Sequence, residues 1–219
     1  MGKIIAFSVF AIIFLTHLIA ILLDKRKVVD ITKCFIVASI IAILAVYKVT
    51  NIALYFALAF GLIGDLLLIF MEKEILFTLG LVSFAINHLC YFVAFLIAFD
   101  FALPFYCYII YGCVLILSIL LLKNPFKKLH PSLFLAGSFY FGLLFVELAF
   151  AITFFALKVS NYSLSFLPML GSMLFIGSDT ILALTNFKKH FKNDNFYVML
   201  TYGLAQFLLA LGIGLVAIL

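Results

Sequence analysis

The sequence predicts an all-α fold: a polytopic membrane bundle of about eight transmembrane helices that form a single transmembrane domain, residues 1–219. Composition is the first observation behind this prediction, since 68% of the 219 residues are hydrophobic and 11% are charged. A soluble domain has typically ~45–50% apolar and ~25% charged residues, because it needs polar side chains to cover its surface. The other two observations are the lengths of the apolar runs and the positions of the basic residues between them.

The apolar runs have the length of membrane spans. A helix crosses the hydrocarbon core of a bilayer with ~20 residues, and the chain contains eight runs of about this length, separated by charged residues, Asn and Pro. The second run is the shortest. The predicted spans are Ile4–Leu23, Ile31–Tyr47, Ile52–Phe70, Ile75–Phe99, Pro104–Leu122, Ser132–Leu157, Ser163–Asn186 and Phe196–Leu219.

The basic residues predict the orientation of the bundle, since cytoplasmic loops carry an excess of Lys and Arg. Of the 14 Lys and Arg, eleven lie at the breaks after the first, third, fifth and seventh runs, and three (Lys3, Lys48 and Lys158) lie on the other side. We therefore expect both termini to be non-cytoplasmic. The net charge of +5 then indicates contact with anionic membrane lipids rather than with nucleic acid. In a bacterium the expected location is the cell membrane. The eleven basic residues on the expected cytoplasmic side are Lys25, Arg26, Lys27, Lys33, Lys73, Lys123, Lys127, Lys128, Lys188, Lys189 and Lys192.

Two aspartates lie inside predicted spans. Asp65 is in the third run, after Gly64, and Asp179 is in the seventh, after Gly177 and Ser178. A charged side chain at the bilayer centre costs ~2.5–3.5 kcal/mol on insertion scales, so such residues usually have a function. Small residues beside them allow neighbouring helices to approach closely. Asp65 and Asp179 are therefore the leading candidates for catalytic residues.

Other polar residues in the spans share helical faces with one another. Asn87 and Tyr91 are four residues apart beside His88, Tyr202 and Gln206 are also four apart, and Glu147 shares a face with Tyr140. We expect these faces to converge on one polar cavity that opens toward the cytoplasmic leaflet. Ser83 and Ser172 are better interpreted as interhelical hydrogen-bonding residues, and His17 as a packing or interfacial histidine.

The sequence does not predict a metal site or a disulfide framework. The four His are scattered, without a pair at helical spacing, and the four Cys form no Cys-x-x-Cys motif. The cysteines are expected to be small packing residues. No nucleophile elbow or phosphate-binding glycine loop occurs.

Taken together, these motifs resemble the YhhN-like family of membrane lysoplasmalogenases. The resemblance rests on Gly64-Asp65, His88-Leu-Cys-Tyr91, Gly171-Ser-Met-Leu-Phe-Ile-Gly-Ser-Asp179, Glu147 in the sixth span, and Tyr202 with Gln206 in the last span. The family's Lys-Pro at the start of the second span is here Lys33-Cys34. The order and spacing of the motifs extend over nearly the whole chain.

The resemblance implies an enzyme that hydrolyses the vinyl ether of a lysoplasmalogen to a fatty aldehyde and a glycerophospho-base, without a cofactor. The substrate would be a lysophospholipid with a vinyl ether. Two carboxyl groups in different environments can divide the acid and base roles, as in glycoside hydrolysis. Asp65 and Asp179 would form that pair, with the two roles unassigned. His88 and Tyr202 would orient water or the hemiacetal oxygen, and Lys33 would pair with the lipid phosphate.

Two other classes of function remain open on the sequence. A small-solute or proton-linked transporter is one, because Asp65 to His88 and Asp179 to Tyr202 are both 23 residues apart and hint at two parallel halves. A non-enzymatic lipid-binding protein, in which the buried acids are structural, is the other. The sequence does not predict an oligomeric state.

Overall fold

The computed structural model describes residues 1–99, 102–122, 131–157, 162–187 and 191–216, and these residues form eight α-helices and no strand. The all-α prediction is confirmed. The helices are α1 (Gly2–Leu22), α2 (Arg26–Val46), α3 (Ile52–Leu68), α4 (Glu74–Phe99), α5 (Phe105–Leu122), α6 (Pro131–Leu157), α7 (Tyr162–Phe187) and α8 (Asp194–Val216).

Six of the described helices are long and apolar enough to cross a membrane: α1, α2, α4, α8, and α6 and α7 over Gly137–Leu157 and Leu164–Thr185. The apolar helices α3 and α5 are shorter. The chain is thus an integral, multi-pass membrane protein. Large apolar side chains on the outer face of α1 are exposed, for example Ile4 and Ile12, as expected for residues that contact lipid.

The predicted spans agree with the helices to within a few residues, except in α2. This helix begins at Arg26, five residues before the predicted Ile31, and has 21 residues. The shortest apolar run therefore does not correspond to the shortest helix; α3, with 17 residues, is shorter than α2. Charged residues can continue a helix beyond the hydrocarbon core into the interfacial region, so an apolar run does not mark where a helix starts.

The last helix, α8, lies at the centre of the bundle and packs against α1, α2, α3, α4 and α7. Its contact with α7 is close because Gly171 leaves no side chain between the helices: a Cβ there would lie 3.0 Å from the carbonyl oxygen of Ala205. Pro168 lies inside α7, and its ring packs against Gly212 of α8.

Chain order places the connections after α1, α3, α5 and α7 on the same side of the bundle, which we call the basic face. The described basic residues there include Lys25, Lys73 and Lys192. That this face is cytoplasmic, and the termini are not, stays a prediction. Several residues behind the orientation or the metal prediction lie outside the described residues: Lys123, Lys127, Lys128, His130, Lys158, Lys188, Lys189 and His190.

Candidate active site

A cavity of about 150 Å³ lies near the basic face, enclosed by α2, α3, α4, α6, α7 and α8. Both polar and apolar side chains line it, as an amphipathic ligand would require. The polar lining residues are Lys33, Asp65, Tyr140, Ser178, Asp179, Asn195 and Tyr202, and the apolar ones include Leu68, Met71, Phe77, Leu81, Phe84, Phe141, Leu182 and Met199.

Asp65, near the end of α3, forms an ion pair across the cavity wall. Its side chain is 2% exposed, and its Oδ1 lies 3.7 Å from Nζ of Lys33 on α2. Tyr202 of α8 donates a hydrogen bond of 2.8 Å to its Oδ2. Both oxygens therefore have a partner that favours a negative charge on the carboxylate.

The contacts of Asp65 continue into the interior of the bundle through neutral groups. Gln206 donates a 3.4 Å hydrogen bond to the oxygen of Tyr202, and Tyr91 donates one of 2.6 Å to Oε1 of Gln206. Gly61 makes room for these side chains, since a Cβ there would lie 3.0 Å from Nε2 of Gln206. We call the set Lys33, Asp65, Tyr202, Gln206 and Tyr91 the Asp65 arm.

Asp179, in the middle of α7, has a different environment. Tyr140 of α6 donates a short hydrogen bond to its Oδ2, and no Lys or Arg nitrogen among the described residues lies within 4.0 Å of its carboxylate. The oxygen of Tyr140 lies 3.4 Å from Nε2 of His88. Nδ1 of His88 lies 2.7 Å from Oε2 of Glu147, and Ser172 donates a 3.2 Å hydrogen bond to Oε1 of Glu147. We call the set Asp179, Tyr140, His88, Glu147 and Ser172 the Asp179 arm.

The two arms are separated by aromatic side chains. The ring of Phe175 packs edge-on against His88, with 4.7 Å between ring centroids, and against Tyr202, at 5.5 Å. Phe84 packs edge-on against Tyr202 at 5.8 Å. The two carboxylates thus face one cavity while their supporting hydrogen bonds run through separate parts of the core.

Five residues predicted to line the pocket do not reach it. Of the predicted site residues, Lys33, Asp65, Ser178, Asp179 and Tyr202 line this cavity. Asn87, His88, Tyr91, Glu147 and Gln206 do not line it and are fully buried; the roles predicted for all ten stay predictions. Helical spacing shows which residues share a face, but it does not show which of them are engaged by a neighbouring helix. Asn87, for instance, donates a hydrogen bond to the carbonyl oxygen of Ala57 on α3.

Tyr140 and Asn195 are polar lining residues that were not among the predicted site residues. The signal for Tyr140 was the helical face that it shares with Glu147, and this did not distinguish it from the other tyrosines. Ser83 and Ser172 donate across helices, to the carbonyl oxygen of Phe60 and to Glu147, as the interhelical interpretation expects. His17 is buried, with Nδ1 2.8 Å from the hydroxyl of Thr32.

No group of three or more His, Cys, Asp or Glu side chains in the described ranges is arranged as a metal site. The four Cys are free, and only Cys107 is buried.

The fold and the site define a class: a multi-pass helical membrane protein with two buried carboxylates on one amphipathic cavity. Comparison with known sequences identifies the family within that class. The chain belongs to the YhhN family, whose sequence pattern matches residues 4–213, nearly the whole chain. The family resemblance seen in the sequence is confirmed. Searches of the curated proteins and of the solved structures gave no match.

Proposed function

We propose that this protein hydrolyses the vinyl ether bond of lysoplasmalogens, releasing a fatty aldehyde and a glycerophospho-base. The observation that carries the proposal is the pair of buried carboxylates on one cavity, one ion-paired with Lys33 and the other hydrogen-bonded to a tyrosine. Family membership supports it, since the YhhN family is linked to this reaction.

The chemistry needs two carboxyl groups in different protonation states. A carboxylic acid first transfers its proton to the alkene carbon, which makes an oxocarbenium ion. A carboxylate then takes a proton from water as the water oxygen bonds to that ion. The resulting hemiacetal loses its hydroxyl proton to the first group, and the glycerol oxygen leaves with the proton held by the second. Both groups return to their starting states, the division of roles used for glycosidic acetals.

The surroundings of the two carboxyls suggest which group has which role. We assign the carboxylate role to Asp65, because the ammonium of Lys33 and the hydroxyl of Tyr202 both stabilise its negative charge. We assign the acid role to Asp179, which is 9% exposed. Burial without a neighbouring cation favours the neutral form of a carboxyl.

Lys33 has two potential partners in this proposal. The sequence led us to expect that it pairs with the lipid phosphate; its Nζ lies beside Asp65 instead, with 16% of the side chain exposed. We propose that its main effect is on Asp65, and a contact with the head group stays a prediction. The apolar wall of Leu68, Met71 and Phe77 would accept the alkenyl chain, with entry from the basic face.

Incubating the purified protein with a 1-alkenyl lysophospholipid tests the function directly. We expect release of fatty aldehyde, and none from the saturated 1-alkyl analogue, which has no alkene to protonate. Asp65→Asn should abolish release while the protein stays folded. If the wild type releases no aldehyde, or if Asp65→Asn retains full activity, the proposal is wrong. Solute uptake into proteoliposomes would instead support a transporter.

A further inference from the structure

Behind Asp179, three more side chains lead from the cavity into the closed interior of the bundle. The order is Asp179, Tyr140, His88 and Glu147, and each side chain has a polar atom within 3.4 Å of a polar atom of the next side chain. His88 and Glu147 are both 0% exposed and do not line the cavity. They do not reach a substrate held there, and the hydrogen-bonded route from them to Asp179 runs through Tyr140.

The row Asp179, Tyr140, His88 and Glu147 contains more ionisable groups than are needed to hold the hydroxyl of Tyr140 in place. In the Asp65 arm, the neutral amide of Gln206 holds the hydroxyl of Tyr202, and the hydroxyl of Tyr91 holds that amide. In the Asp179 arm, an imidazole and a carboxyl occupy the corresponding places. Burying an ionisable pair has a desolvation cost even where the two groups bind each other, as His88 and Glu147 do, and a neutral amide would avoid that cost. Their presence therefore points to a role that needs a proton.

We propose that Asp179, His88 and Glu147 share one proton, passed through the hydroxyl of Tyr140, and that this row keeps Asp179 in its acid form. The use of that proton rests on the proposed function. His88 and Glu147 are positioning residues in this scheme, because they act on the substrate only through Tyr140 and Asp179.

The transfer is balanced at every atom. Glu147 gives the proton on Oε2 to Nδ1 of His88, and His88 releases a proton from Nε2 to the oxygen of Tyr140. Tyr140 releases its own hydroxyl proton to Oδ2 of Asp179. One proton has then moved from Glu147 to Asp179, Tyr140 is unchanged and His88 is in its other tautomer. Ser172, which donates to Oε1 of Glu147, stabilises the carboxylate that remains.

Glu147→Gln tests the row through catalysis. The amide is close in shape and can hydrogen-bond His88, but it cannot give up a proton. We expect kcat for aldehyde release to fall at least ~10-fold; the loss of a group that itself transfers the proton to the substrate typically costs ~10²–10⁴-fold. KM should stay unchanged because residue 147 lies outside the cavity. The matched control is Thr153→Val on the same helix, whose hydroxyl donates to the carbonyl oxygen of Ala149 and does not line the cavity. An unchanged kcat in Glu147→Gln would overturn the proposal.

A second measurement does not depend on activity: nitrogen NMR of the purified protein labelled with ¹⁵N-histidine, with the His88 signals assigned by their loss in His88→Gln. Asp179→Asn should shift the ring nitrogens of His88, although the two side chains do not touch. The same substitution in a Tyr140→Phe background should produce no shift, since the connecting hydroxyl is gone. Asp65→Asn is the matched control and should leave His88 unchanged; Asp179→Ser repeats the test if the amide impairs folding.

The outcomes separate the two proposals. No response of His88 to Asp179→Asn, or an equal response without the Tyr140 hydroxyl, overturns the shared proton even if the wild type cleaves lysoplasmalogen. A response that requires Tyr140 supports the shared proton even if the wild type releases no aldehyde, in which case only the proposed reaction fails.

Discussion

The Asp65 arm and the Asp179 arm begin alike and end differently. Each starts with an aspartate on the cavity that accepts a hydrogen bond from a buried tyrosine, Tyr202 in one and Tyr140 in the other. The Asp65 arm then has a lysine on the carboxylate and a glutamine behind the tyrosine. The Asp179 arm has a histidine and a glutamate behind the tyrosine.

In the proposed mechanism, this difference gives the two carboxyl groups different protonation states. A permanent positive charge and neutral dipoles stabilise a carboxylate without exchanging protons. A chain of imidazole and carboxyl groups can supply a proton instead. The comparison predicts that substitutions in the two arms have distinct consequences, which we take from the largest to the smallest.

Lys33→Met should have the largest effect, and only through the Asp65 arm. It leaves the carboxylate of Asp65 buried without its cation, and breaking a buried ion pair by removing one partner typically costs ~3–5 kcal/mol. We expect a marked loss of thermal stability in detergent and of aldehyde release. Lys33→Met combined with Asp65→Asn should regain stability but not activity, since no unpaired charge remains.

Exposed Lys73 provides the matched control, because Lys73→Met removes the same charge at the basic face without a buried partner. A Lys33→Met protein that unfolds at the wild-type temperature would show that the ion pair does not offset the cost of burying the carboxylate of Asp65.

Substituting the tyrosine in each arm gives the most closely matched comparison of the two arms. Tyr202→Phe and Tyr140→Phe each remove one hydrogen bond to a carboxyl, and hydrogen bonds to charged groups contribute ~1.5–3 kcal/mol. Both should slow aldehyde release, but only Tyr140→Phe also separates His88 from Asp179. We therefore expect the larger fall in kcat for Tyr140→Phe, measured against the exposed Tyr197→Phe. Equal losses would indicate that the two tyrosines are equivalent.

Gly64→Ala should have a smaller effect, confined to the Asp65 side. A Cβ at this position would lie 2.7 Å from the ring of Phe84, which packs on Tyr202. Overpacking typically destabilises the folded state by ~1–3 kcal/mol, and the higher helix propensity of Ala stabilises it by ~1 kcal/mol. The net loss of stability should be about 1 kcal/mol, read from thermal unfolding, with Gly177→Ala as the control because it has open space around it. Equal stability of the two variants would mean that Phe84 moves freely.

Arg26→Gln should have the smallest effect, since it breaks an exposed ion pair with Glu72 at 3.4 Å. Such pairs contribute typically ~0–1 kcal/mol, and neither residue lines the cavity. Aldehyde release and unfolding temperature should match the wild type. A clear loss of activity would show that the surface of the basic face takes part in the reaction.

The sequence predicted the fold and the two aspartates because both depend on the cost of polar groups in lipid. Apolar run lengths set the helices, and Asp65 and Asp179 stood out as charges within spans. The partners could not be predicted in the same way. The packing of α4 against α6 decides whether His88 points toward the cavity or toward Glu147. In the same way, the packing of α2 against α3 decides whether Lys33 contacts Asp65. Tyr140 was missed because a tyrosine in a span is ordinary until its hydroxyl is seen beside a carboxyl.

Hydrolysis of a 1-alkenyl lysophospholipid in D₂O tests the central claim, that an acid in the cavity protonates the alkene carbon. The released aldehyde, reduced at once to the alcohol so that no later exchange occurs, should carry one deuterium on the carbon next to the former aldehyde carbon. The same label should be absent with Asp179→Asn, because that variant forms no product. Aldehyde without deuterium at this carbon, or full activity in Asp179→Asn, would contradict the assignment of Asp179 as the acid.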